Sequence, residues 1–115
     1  MSRRDPHLTL SQMLAYAREA RELAQGKARA DLDRERMLEL SVLRVLEVLG
    51  EAATRLPDET RSRHPEIPWG SIIGLCNRLI HAYDEVDLDI VWDILTLDVP
   101  DLIEKLERML NEGSA

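Results

Sequence analysis

The residue types that could do chemistry concentrate in one stretch of this 115-residue chain, residues 67–95, IPWGSIIGLCNRLIHAYDEVDLDIVWDIL. It holds both Trp, one of the two Tyr, the only Cys, and a His beside a predicted helix end. His81 can carry a proton near neutral pH, although a lone His near a helix end is usually structural. Arg78 lies three residues before it, so a helix presents both on one polar face, with Asn77 alongside. Such a trio can cradle a phosphate; the alternative is a solvated rim. Cys76 becomes a nucleophile only with a base in reach. At 100° per residue it stands about 140° around the helix from His81, in the middle of an apolar line of Trp69, Ile72, Ile73, Cys76, Leu79, Ile80 and Tyr83. A Cys–His pair within one chain is therefore disfavoured. The two can meet only across a dimer, and Cys76 otherwise reads as core packing. Tyr83 ends the line and reads as core or interface, with its hydroxyl reaching water or a partner.

Other chemistries find less support. Nothing resembles a zinc ligand set, and one Cys excludes an internal disulfide. The acidic run that includes Asp84, Asp87, Asp89 and Asp93 lacks the glycine turn and terminal Glu of a calcium loop. It reads as a solvated or partner-facing surface, and no cofactor is expected. Arg61, Arg63 and His64 form a small basic knot, either a solvated loop or a phosphate contact.

The elements that must position these residues are helices. Aromatics are scarce and the apolar residues are mostly Leu, Ile, Val, Ala and Met, among many Glu and Arg, which favours helix over sheet. Leu10, Met13, Leu14, Ala17, Ala20 and Ala24 predict a first helix over residues 8–25, capped by Thr9 or Ser11 and ended by Gly26. Residues 31–56 predict one long second helix, with an apolar stripe that includes Leu32, Met37, Leu40, Leu43 and Leu46. Residues 57–68 hold three Pro and read as a loop with room for one short turn. Pro68 suits the first turn of the third helix, which ends near Tyr83. Asp87 caps the fourth helix, which turns Leu88, Val91, Trp92 and Leu95 inward. Around Pro100 that helix kinks or restarts. The expectation is an all-α, up-and-down four-helix bundle with a kinked or split C-terminal helix, in a single domain over residues 1–115.

The stretch PEIPWGSIIGLCNRLIHAYDEVDLDIVWDIL resembles the HepT-like family of HEPN-domain proteins. The likeness extends over nearly the whole chain: the IPW entry to the third helix, the RLIHAY core, the VDLDIVWDIL fourth helix and the following D-x-P-x-L. The family signature is Arg, four residues, His, one residue, Tyr. His81 and Tyr83 match its last two positions, and Asn77 matches the polar residue that commonly follows the Arg. The Arg position itself falls on Cys76. The resemblance implies an HEPN-like fold and the toxin half of a type VII-like toxin–antitoxin pair. In such proteins the Arg and His form a metal-independent RNase site in a cleft at the two-fold axis of a homodimer. A nucleotidyltransferase antitoxin silences it by transferring AMP to the tyrosine, here Tyr83. His81 would be the acid/base, and Cys76 supplies neither the positive charge nor the planar donor pair of the signature Arg. Arg78 retains a guanidinium nearby. The other implied class is a catalytically inactive dimeric HEPN binding module that pairs with a nucleotidyltransferase.

Net charge is −7, unevenly spread: residues 1–50 carry +1 and residues 51–115 carry −8. A broad electrostatic grip on nucleic acid needs a basic face, so any contact with an RNA substrate is local, and the acidic half suits a basic protein partner. No apolar run approaches the length of a membrane span, and MSRRDPHLTL lacks the apolar core of a signal peptide. The expected compartment is the cytoplasm, with no membrane contact.

Overall fold

The computed structural model describes residues 5–81 and 86–114; within that range nothing is described of the side chains of Cys76 and residues 79–81 and 113–114. The described residues are helical and contain no strand. In chain order the elements are α1 (Pro6–Ala24), α2 (Asp31–Arg34), α3 (Arg36–Thr54), α4 (Asp58–Ser62), α5 (Trp69–His81), α6 (Leu88–Asp93), a π-helical segment (Ile94–Asp98) and α7 (Val99–Ser114). The last three are contiguous and form one long C-terminal helix. α3 packs against α1 and α5, and α7 closes against α1. The result is the expected four-helix bundle, with α1, α3, α5 and the C-terminal helix as its staves.

The core is aliphatic. Met13, Ala17, Val42, Leu46, Ala53, Val91, Leu95 and Leu106 are buried in one cluster. Val91 and Leu95 lie four apart on the C-terminal helix, and Leu88 and Trp92 pack half-buried beside them. This is the inward face that their spacing predicts.

Two helix boundaries differ from the sequence expectation. α1 begins at Pro6, capped by Asp5, whose carboxylate accepts from the His7 N–H at 2.9 Å. Pro at the first helical position lacks only a donor that would be orphaned there anyway. Thr9, expected as a cap, is buried inside the helix. Gly26 does end the segment, at φ +76°, where a Cβ would be strained. The expected long second helix is interrupted at Glu35, whose backbone is extended (φ −109°, ψ 94°). The break sets α2 and α3 out of phase. Leu32 turns into the core while Met37, expected on the buried stripe, is 79% exposed.

The π segment explains the kink. Pro100 has no N–H to give to Thr96, and its ring would crowd that carbonyl in a regular helix. The chain widens instead: the Val99 N–H bonds to the Ile94 carbonyl five residues back, and the Thr96 hydroxyl donates to the Trp92 carbonyl at 2.9 Å. At the other end of this helix Asp87 caps as expected, accepting from the Asp89 N–H at 2.8 Å. Asp87→Ala is expected to lower stability by about 1 kcal/mol in urea denaturation, with the m-value unchanged. No described helix is long and apolar enough to cross a membrane.

Candidate functional site

The site is built on α5, and its entry is clamped. The Trp69 indole N–H donates to two carbonyls of the preceding turn, Arg61 at 3.0 Å and His64 at 2.9 Å. Lys105 on α7 donates to the Glu66 carbonyl at 2.8 Å, and Ile67 is buried between. The Pro68 carbonyl then accepts from Ile72, opening the helix. The short turn expected within residues 57–68 is α4, Asp58–Ser62.

The basic knot in this segment is locally neutralised. Arg61 pairs with Asp58, Arg63 pairs with Glu59, and the His64 ring lies 3.2 Å from Glu66. The Glu66 carboxyl is held below its ordinary range, first by its own backbone N–H and then by His64 and Lys105. The two arginines are answered by carboxylates of their own segment and leave little for a phosphate.

From the clamp α5 runs along α3 with Ile72, Ile73 and Leu75 packed on the core. Asn77 and Arg78 are exposed on its outer side. Cys76 and His81 are both helical positions of α5, five residues apart, so the backbone sets them on different sides of the helix. Their side chains, and Tyr83 altogether, lie outside the described residues. Within one chain the backbone therefore brings Asn77 and Arg78 together at the surface and separates Cys76 from His81.

Beside Arg78 is a feature that the residue pattern alone did not disclose. A groove of about 450 Å³ runs between α5 and the C-terminal helix. Gly70, Gly74 and Arg78 line one side, and Ile90, Ile94 and Asp98 the other. Each set is spaced by four, the signal that would have found it. The acidic run flanking the groove is divided in its partners. Asp89 pairs with Arg29 at 2.6 Å and Asp101 with Lys105 at 2.8 Å. Asp93 and Asp98 have no ion pair among the described residues.

Known proteins place this geometry in a family. The family model described as "Ribonuclease HepT-like" matches residues 13–109, from the middle of α1 to the last turns of α7. The chain belongs to the HepT-like ribonuclease family. It is 38% identical over 71 residues to "Probable ribonuclease HepT" of Thermococcus cleftensis, a match covering 62% of this chain and 64% of that relative. It is 32% identical over 107 residues to "Putative RNase MJ1380" of Methanocaldococcus jannaschii, covering 93% of this chain and 98% of the relative. No solved structure matches it significantly. Membership makes this an RNase-type HEPN protein, and α5, which includes positions 76 and 81, lies wholly within the matched residues.

Proposed function

We propose that this HepT-like chain, as a single domain over residues 1–115, is the toxin subunit of a type VII-like toxin–antitoxin pair in the cytoplasm. It is a homodimeric scaffold for metal-independent endoribonuclease chemistry, controlled by a nucleotidyltransferase antitoxin that transfers AMP to Tyr83. What carries the reading is the family match over residues 13–109, together with His81 and Tyr83 at their signature spacing in the sequence.

The chemistry follows from the residue types. RNA cleavage needs a proton moved from the ribose 2′-hydroxyl, or to the leaving oxygen, and an imidazole does this near neutral pH. It also needs positive charge against the phosphorus oxygens as the transition state forms. His81 serves the first need. Cys76, at the signature Arg position, does not serve the second, and Asn77 and Arg78 are the exposed polar groups nearest to it in α5. A two-fold axis sets two copies of His81 at one cleft, which a single chain lacks. AMP on Tyr83 would place a negative phosphate and a bulky base where RNA must enter.

A second reading is favoured by two specific observations, Cys76 itself and the net charge of −7. In it the chain is a dimeric binding module that holds a nucleotidyltransferase and turns over no RNA. The regulatory arm common to both readings is tested by co-expression with a minimal nucleotidyltransferase followed by intact mass and peptide mapping. One AMP per chain is expected on the peptide containing Tyr83, and none in Tyr83→Phe. No added mass, or mass on another residue, would count against the assigned switch.

A further inference from the structure

Most of the described Lys and Arg side chains are answered by a carboxylate. Among the described residues, Arg21, Arg34, Arg55 and Arg78 have no ion pair. Arg21 lies in the last turn of α1 and Arg55 caps the end of α3, where the last carbonyls of a long helix answer a positive charge. Arg78 belongs to the site already described on α5. Arg34 is left without such an explanation.

Its surroundings make the omission specific. Arg34 is exposed at the end of the four-residue α2, and carboxylates flank it in the chain. Each of them is engaged elsewhere. Asp31 accepts from the Ala28 N–H at 2.8 Å, and Asp33 pairs with Arg29 at 3.0 Å. Glu35 pairs with Lys27 at 2.9 Å, and Glu39 with Arg36 at 2.9 Å. The segment thus neutralises its other cations and leaves one guanidinium over. Its planar fork of donors matches a phosphate.

Two observations set Arg34 at the end of the bundle where α5 finishes in His81. Arg29, five residues earlier, pairs with Asp89 at 2.6 Å in the first turn of α6, just beyond the connection that leaves α5. α3 opens two residues after Arg34, and its other end leads through residues 55–68 back into α5, which packs along it. The start of α3 and the finish of α5 therefore share one end. The C-terminal helix offers RNA the opposite sign, since Asp93 and Asp98 have no ion pair among the described residues. A phosphodiester strand leaving His81 finds favourable charge toward Arg34 and unfavourable charge along that helix.

We propose that Arg34 binds a backbone phosphate of single-stranded RNA, flanking the phosphate at which His81 acts. The inference rests on the RNase function proposed above and supplies a substrate contact outside its signature residues. Arg34 does not touch the reacting atoms; it holds the strand, and it reads no base.

The test measures binding of a single-stranded RNA whose 2′-hydroxyls are methylated, so that it binds without being cleaved. Affinity for the full chain is read by fluorescence anisotropy across a salt series. Arg34→Gln should make the slope of log affinity against log salt shallower by about 0.7 for each lost phosphate contact, equally for RNAs of different sequence. Arg34→Lys keeps the charge and should keep the slope. Arg55→Gln, the same removal at the opposite end of α3, should change nothing. In the Cys76→Arg background, Arg34→Gln should raise KM for cleavable RNA about two- to fivefold with kcat unchanged, because an exposed contact is made equally before and during the reaction. An unchanged slope and KM in Arg34→Gln would overturn the contact and leave the RNase function standing. A slope lowered as much by Arg55→Gln would also overturn it, by showing diffuse surface charge. RNA binding that persists while binding of a nucleotidyltransferase is lost would overturn it and mark Arg34 as a protein contact. No RNA binding by the chain together with no cleavage by Cys76→Arg would overturn the function itself, and the contact with it.

Discussion

Restoring the signature residue by Cys76→Arg is expected to raise metal-free RNA cleavage by about 10²–10³-fold, the usual effect of one aimed donor on a developing oxyanion. A guanidinium offers two parallel N–H groups to two phosphorus oxygens, and it stays charged at any working pH. A thiol offers one weak donor and no charge. The gain should depend on assembly. Positions 76 and 81 sit on different sides of α5, so the new Arg and a His81 act together only across two copies. Diluting the variant below its dimer dissociation constant should therefore lower activity per chain, whereas a site complete in one chain would show no such dependence. A fluorogenic RNA substrate in the presence of chelator reports both effects. Thermal denaturation of the same preparation separates lost activity from lost fold.

Leu106→Ala is expected to cost about 3–5 kcal/mol of folding stability, a large part of the reserve of a domain this size. Leu106 is fully buried on α7, the helix that closes the bundle against α1. Its removal leaves a cavity among side chains held by two helices, and such a site relaxes poorly. Met37→Ala is the contrast. The stripe read from the sequence would make it another core deletion, but at 79% exposure it should stay within about 0.5 kcal/mol. Urea denaturation of the two variants side by side distinguishes the interrupted helix from the continuous one.

That contrast marks what the residue pattern carried and what it did not. Features set by neighbouring residues were legible. Asp87 caps its helix because an Asp before an apolar run has a nearby N–H to accept from, and Gly26 ends α1 because a positive φ suits it. Val91 and Leu95 were legible as core because helical spacing puts them on one face. Features set by tertiary packing were not. Glu35 carries no breaker signal. The interruption there is visible only through its result, Leu32 inside and Met37 outside. Pro100 announced a kink, but the five-residue hydrogen bond that accommodates it depends on the whole helix. The groove was hidden for another reason. Gly70, Ser71 and Gly74 lie among the apolar residues that open the helix, and Asp98 read as one more member of an acidic run. Their relation needs two helices in place.

The functional site divides in the same way. Physical pattern alone put His81 on a polar face with Asn77 and Arg78, where a lone His is usually structural, and made Cys76 a packing residue. Only the family signature turned position 76 into the place of a missing cation and Tyr83 into an acceptor. The separation of Cys76 from His81 by five helical positions followed from spacing, and the helical backbone of α5 through both positions bears it out.

The central claim is that α5 carries an RNase site in which His81 acts and Cys76 marks the missing charge. It is tested most directly by removing the imidazole after the Arg has been restored. Metal-free cleavage of a defined RNA by Cys76→Arg should fall by about 10²–10⁴-fold when His81→Ala is added, with dimer affinity and melting temperature unchanged. Equal cleavage with and without His81, or no cleavage by Cys76→Arg in a well-folded dimer, would contradict the account and favour the binding module.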